Sequence, residues 1–163
     1  MVPTDEELSL LAGQVVTTLA EAGQTVATAE SCTGGWVAKA LTDVAGSSAV
    51  FGLGLVTYSN EAKQRLLDVP DTVLEKHGAV SRETVTAMAE RLRAISGADH
   101  AIAVSGIAGP EGGSEDKPVG TVWFAWARGH GDPPLVTGMH RFEGNRDEVR
   151  RQAVLTALVA LLP

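Results

Sequence analysis

Thr25-Val-Ala-Thr-Ala-Glu30-Ser31-Cys32-Thr33-Gly34-Gly35 decides the fold of this chain. Thr25 to Ala29 is short and β-prone. It runs through small hydroxyl residues and two glycines into Trp36, Val37, Ala40, Leu41 and Val44. Those apolar residues recur at helical spacing and stop near Gly46. A strand that passes through a tight turn into a helix opens a βα unit, and ligands in open α/β sheets collect at the carboxyl ends of such strands.

Upstream, Thr4 and Glu7 make a capping-box pattern ahead of Leu8, Leu11, Val15 and Leu19, which predicts a helix ending at Gly23. Downstream, Val50 to Thr57 reads as a buried strand despite Gly52 and Gly54. Asn60 to Leu67 and Pro70 to His77 read as short helices, the second stopped by Gly78, and Ser81 stands as N-cap of a long helix through Ile95. His100 to Val104 is a compact apolar strand leading into the longest loop, Gly106 to Lys117. Val119 to Ala127 and Leu135 to Phe142 form a strand pair joined, hairpin-like, through Gly129-His130-Gly131-Asp132-Pro133-Pro134. Asn145 with Glu148 starts a final helix. Early alternation of helices and strands with a late antiparallel pair predicts an α/β domain with helices on both faces of a mixed sheet. The length of 163 residues suits one core, so residues 1–163 are expected to form a single domain.

Composition narrows the function. The net charge of −7 has the wrong sign for neutralising nucleic-acid phosphates. Aromatic residues make up 4% and do not alternate with basic ones, so a stacking platform for single strands is not expected either. The 18 glycines and 7 prolines fall short of the roughly 25–30% that marks low complexity. One cysteine can form neither an intramolecular disulfide nor a zinc cluster, which fits a reducing, cytoplasmic setting. The opening MVPTDEE lacks the apolar run of a signal peptide. Ala153 to Leu162, the most apolar stretch, is far short of the roughly 20 residues that span a bilayer, so no membrane association is expected.

Several residues could carry chemistry. Ser31 lies where a nucleophile would have backbone N–H donors of a helix start close by, yet Ser31 or Thr33 would serve equally well as a helix cap. Cys32 is the rival, because a thiol at a helix N-terminus is acidified. Neighbouring residues in a helical turn point about 100° apart, so only one of the two should face a substrate, and the pattern alone leaves open which. A serine needs a base. His77, His100, His130 and His140 show no metal-ligand spacing and no obvious catalytic placement. Tyr58, at a strand end, and Lys63, about one turn into the next helix, suggest a desolvated lysine base with a tyrosine hydroxyl relaying the proton. The bland alternative is a solvated lysine. Ser105-Gly106-Ile107-Ala108-Gly109-Pro110-Glu111 could offer backbone N–H groups to an anion or be a simple glycine-rich turn. Glu111, Glu115 and Asp116 would repel that anion unless they point away. Arg146 and Arg150 share a helix face at i, i+4, as a solvated basic surface or as a phosphate clamp.

Taken together, Ala29-Glu30-Ser31-Cys32-Thr33-Gly34-Gly35, Tyr58-Ser59-Asn60 with Lys63, and His77-Gly78-Ala79-Val80-Ser81 resemble the C-terminal domain of CinA, the competence/damage-inducible protein. Ser105-Gly-Ile-Ala-Gly-Pro110, Lys117-Pro-Val-Gly-Thr121 and Phe142-Glu-Gly-Asn-Arg146 continue the resemblance in order, over nearly the whole chain. The resemblance implies a three-layer α/β/α sandwich and a nicotinamide mononucleotide deamidase, an amidohydrolase of pyridine-nucleotide salvage that yields nicotinate mononucleotide and ammonia. It implies Ser31 as nucleophile, with Tyr58 and Lys63 assisting. Ser105 stands where many relatives carry threonine, which keeps the hydroxyl. On this reading Thr33 and Gly34 frame the oxyanion, while Ser105, Gly106, Gly109 and Arg146 hold the substrate. No metal or organic cofactor is expected. The expected partner is a small-molecule nucleotide rather than nucleic acid or membrane, and a homo-oligomer is compatible with the reading. Larger relatives carry an N-terminal domain resembling molybdopterin-binding proteins, and no activity of that domain is expected here. The alternative functions are a non-catalytic nucleotide-binding, regulatory domain and a hydrolase using Cys32.

Overall fold

A computed structural model describes residues 1–129 and 135–163. Five strands form one mixed sheet in the order β2-β1-β3-β4-β5. β1 (Val26–Glu30) pairs in parallel with β2 (Phe51–Val56) and with β3 (His100–Gly106), whereas β4 (Thr121–Arg128) runs antiparallel to β3 and to β5 (Leu135–Arg141).

The helices start where their caps dictate. α1 (Asp5–Ala22) opens on the reciprocal Thr4–Glu7 capping box and closes on Gly23 at φ 64°. α2 (Trp36–Thr42) and α3 (Asn60–Leu67) follow β1 and β2, and the Ser59 side chain caps α3. α4 (Asp71–His77) ends at Gly78, α5 (Arg82–Ser96) is capped by Ser81, and α6 (Arg146–Val159) opens on the Asn145–Glu148 box. The Thr4, Ser59, Ser81 and Asn145 side chains each accept from an N–H that has no partner within its helix, whereas the N-cap residues of α2 and α4 make no such bond.

The two faces of the sheet differ in side-chain size. Ala27, Ala29, Ala101, Ala103, Ala125 and Ala127 turn toward α5, where Val85, Met88, Ala89 and Leu92 pack on them. Small residues at alternate positions let the helix lie close to the strands. Leu67 and Leu74 bring α3 and α4 to the same face. The opposite face presents Val26, Ile102, Val104, Val122, Phe124 and Trp126 to α1, α2 and α6. The result is the expected α/β/α sandwich with a mixed sheet.

One expectation needs correction. The segment read as a buried strand is an edge strand, paired on one side only, whose residues alternate between half-buried and exposed. Of its two glycines only Gly54 serves close packing: a Cβ there would stand 2.9 Å from the Phe51 ring and 3.3 Å from Ala38 of α2, whereas one on Gly52 would meet nothing within 4 Å. The hairpin-like link is bounded by the observed β4–β5 pair, but residues 130–134, His130 among them, lie outside the described residues.

Candidate active site

The parallel strands β1, β2 and β3 deliver three loops to one end of the sheet. β1 ends at Glu30, so Ser31 follows it directly, and the Ser31 N–H donates to Val104 O of β3 at 2.9 Å. β2 ends into Thr57 and Tyr58. The Ser59 cap then starts α3 so that Lys63 comes round, one turn later, to face inward.

Among the described residues, Lys63 is one of the largest fully buried side chains, at 1% exposure. Its Nζ lies 2.9 Å from Ser31 Oγ, 2.7 Å from Thr57 O and 3.2 Å from Tyr58 O. Three acceptors match the three N–H groups of an ammonium. They match the neutral amine as well, since two N–H groups can stay on the carbonyls while the lone pair receives the Ser31 hydroxyl proton. Burial lowers the Lys63 pKa from 10.5 to about 8. About one molecule in ten then carries a neutral amine at pH 7, against about one in three thousand for an ordinary lysine. The arrangement can take a proton from Ser31 near neutral pH.

Cys32 sits beside Ser31 at 5% exposure, packed into the α1/α2/α6 core. Burial pushes its thiol up to about 12, so the thiolate needed for nucleophilic attack is absent at neutral pH. The expectation that a helix start acidifies this thiol fails because burial disfavours the thiolate and the nearby Glu30 carboxylate disfavours it further, while that carboxylate also takes up N–H groups in the first turn of α2. The buried Glu30 carboxylate accepts from Val37 N–H at 2.8 Å and from Ala38 N–H at 3.0 Å.

A cavity of about 260 Å³ opens over these groups, lined by Ser31, Cys32, Tyr58 and Lys63 on one side and by Ser105, Gly106, Gly109, Glu111 and Arg146 on the other. A hollow of about 320 Å³ at the opposite end of β1 and β2 is lined by no charged residue. Ser105, at the end of β3, is 1% exposed, and the loop after it is pinned by Ile107 N–H to Thr121 O at 2.9 Å. Arg146 opens α6 and donates to Gly109 O at 2.7 Å and to the Tyr58 hydroxyl at 2.8 Å. Glu115 and Asp116 lie outside the cavity, while Glu111 is on its wall. Thr33 and Gly34 do not line it: the Thr33 carbonyl is held by Arg150, and the Gly34 N–H is already donated to Ser31 O at 3.0 Å. His77, His100 and His140 are placed elsewhere; His77 ends α4, and His140 stacks on Phe142.

The CinA C-terminal domain model matches residues 8–163. This chain belongs to the CinA C-terminal domain family. It is 55% identical over 158 residues to the nicotinamide-nucleotide amidohydrolase PncC of Escherichia coli K12, covering 97% of this chain and 94% of that one. It is 56% identical to a CinA-like protein of Geobacter sulfurreducens, covering 85% of this chain and 33% of the larger protein. The crystal structure of the competence/damage inducible protein CihA from Agrobacterium tumefaciens superposes with a TM-score of 0.90 at 43% identity, covering 100% and 99% of the two chains.

In this CinA domain the Tyr58 hydroxyl is bonded to Arg146, while Ser31 Oγ and Lys63 Nζ meet directly without a relay between them. Tyr58 is 58% exposed, and its backbone carbonyl holds Lys63. Tyr58→Phe should therefore leave kcat within about threefold and raise KM by less than about tenfold, the loss of one exposed hydrogen bond. Steady-state kinetics check this. Three contributors escaped sequence reasoning. Thr57 acts through a backbone carbonyl, which leaves no side-chain signature. Glu30 left one, a carboxylate closing an apolar strand just before a helix. Arg150 was visible only as half of a basic helix face.

Proposed function

We propose that this chain is an amidohydrolase of nicotinamide mononucleotide, releasing nicotinate mononucleotide and ammonia with Ser31 as nucleophile. The observation that carries the reading is the buried Lys63 amine 2.9 Å from Ser31 Oγ in a chain so similar to PncC. A domain that only bound nucleotides would gain nothing from a desolvated lysine held on a serine, a costly arrangement.

Ser31 Oγ attacks the carboxamide carbon and passes its proton to Lys63 Nζ. The oxyanion that forms needs donors fixed in advance. The Ser31 carbonyl is turned to Gly34, so the Cys32 N–H on the other edge of that peptide plane is directed away from it, and Cys32 lines the cavity. Lys63 returns the proton to the departing nitrogen, ammonia leaves, and Ser31 holds an ester. Water then attacks the ester carbonyl with Lys63 again as base, which frees the carboxylate and restores Ser31. Arg146 spends two of its five N–H groups on Gly109 and Tyr58, leaving three for the phosphate. Ser105, Gly106 and Gly109 complete the ribose-phosphate wall. The setting is cytoplasmic, and no helix among the described residues is long and apolar enough to cross a membrane.

The test is ammonia release from nicotinamide mononucleotide by the purified chain. Turnover is expected without added metal and unchanged by a chelator. Absence of ammonia, or a rate abolished by chelator and restored by zinc, would overturn the reading.

A further inference from the structure

Arg150 lies one helical turn beyond Arg146 on α6, on the same face. Its Nε donates to Cys32 O at 3.1 Å and its Nη2 to Thr33 O at 3.0 Å. One guanidinium fork thus holds two successive carbonyls of the turn that follows Ser31. Its other face rests on the Trp36 ring, 5.2 Å from the centroid. Elsewhere the turn is tied by Ser31 N–H to Val104 O, Gly34 N–H to Ser31 O and Trp36 N–H to Thr33 O. Among the described residues, only Arg150 donates to Cys32 O.

We propose that Arg150 is a positioning residue for the reaction: it fixes the two peptide planes that flank Thr33, one of which carries the Gly34 N–H that holds Ser31 O, and thereby holds Ser31 Oγ against Lys63. This rests on the amidohydrolase reading above. Peptide units are planar and trans, so fixing the Cys32 carbonyl also fixes the Thr33 N–H, and with both planes fixed the turn cannot swivel. Such a swivel would carry Ser31 Oγ off the Lys63 amine, and a misplacement of about 1 Å at a reacting atom costs about 100-fold in rate. Arg146 ties the facing loop and Tyr58, so α6 sets both walls of the cavity from two successive turns. A lysine at position 150 would keep the charge and the contact with Trp36, but an ammonium is a point donor and cannot span two carbonyls as a planar fork does.

The experiment compares Arg150→Ala and Arg150→Lys with the parent chain by steady-state deamidation, with melting temperatures alongside. Both variants are expected to lose about 100-fold in kcat with KM within about threefold. The pH midpoint of the parent should persist, because Lys63 makes no contact with Arg150. Guanidinium ion added to folded Arg150→Ala should restore at least about tenfold, by refilling the fork. Arg150→Lys turning over at the parent rate overturns the proposal. So does a folded Arg150→Ala whose loss lies in KM alone, or whose kcat guanidinium leaves unmoved. A parent chain that releases no ammonia overturns the amidohydrolase reading itself, and the positioning role falls with it.

Discussion

Ser31→Ala is expected to lose about 1,000-fold or more in turnover while keeping its fold and its affinity for the nucleotide. The substitution removes the attacking atom and almost nothing else. Ser31 is 8% exposed, its backbone N–H stays on Val104, and Lys63 keeps the Thr57 and Tyr58 carbonyls as acceptors. Cys32→Ala supplies the contrast. It deletes a buried, protonated thiol, so it should lower the melting temperature slightly and leave kcat within a few-fold. Ammonia release and nucleotide binding, measured side by side on both variants, check the pair. The reverse ranking would hand the chemistry to the thiol.

Lys63→Arg is expected to lose about 100-fold or more in kcat although the positive charge is retained, in line with the loss of a general base. A guanidinium stays protonated through the accessible pH range and cannot accept the Ser31 proton. It is also larger than the space that holds the Lys63 amine between Ser31 Oγ and two carbonyls. The variant must therefore be shown to fold, by circular dichroism and thermal melting, before its rate is read. A folded Lys63→Arg running near the parent rate would reduce Lys63 to a fixed charge.

The helix starts were legible because caps are local. Thr4 with Glu7, Ser81, and Asn145 with Glu148 each satisfy N–H groups within three residues, so the signal and its effect lie in one short stretch of sequence. The edge position of β2 was not legible, since an apolar run with glycines reads alike whether one or both sides are paired. The alanine face under α5 escaped for a related reason: the alternation is plain in the strands, but which face meets a helix depends on sheet order. At the site, Ser31, Tyr58, Lys63, Ser105, Gly106, Gly109 and Arg146 do meet around one cavity. Thr33 and Gly34 do not. Their hydroxyl and glycine character suggested an open helix start, but the Glu30 carboxylate closes that start from inside the fold. Tyr58 shows the same limit, because its contact with Lys63 is made by a carbonyl that any residue would supply.

The proposed reaction needs a neutral Lys63 amine as the base for Ser31, and the pH dependence of kcat/KM for ammonia release is the measurement that reads its protonation. Burial lowers the Lys63 pKa, so the inactive ammonium form dominates below the midpoint and the rate must climb as pH rises. The predicted curve rises through a midpoint of about 8 to a plateau. A flat profile, or a midpoint near the histidine value of about 6.5, would contradict it.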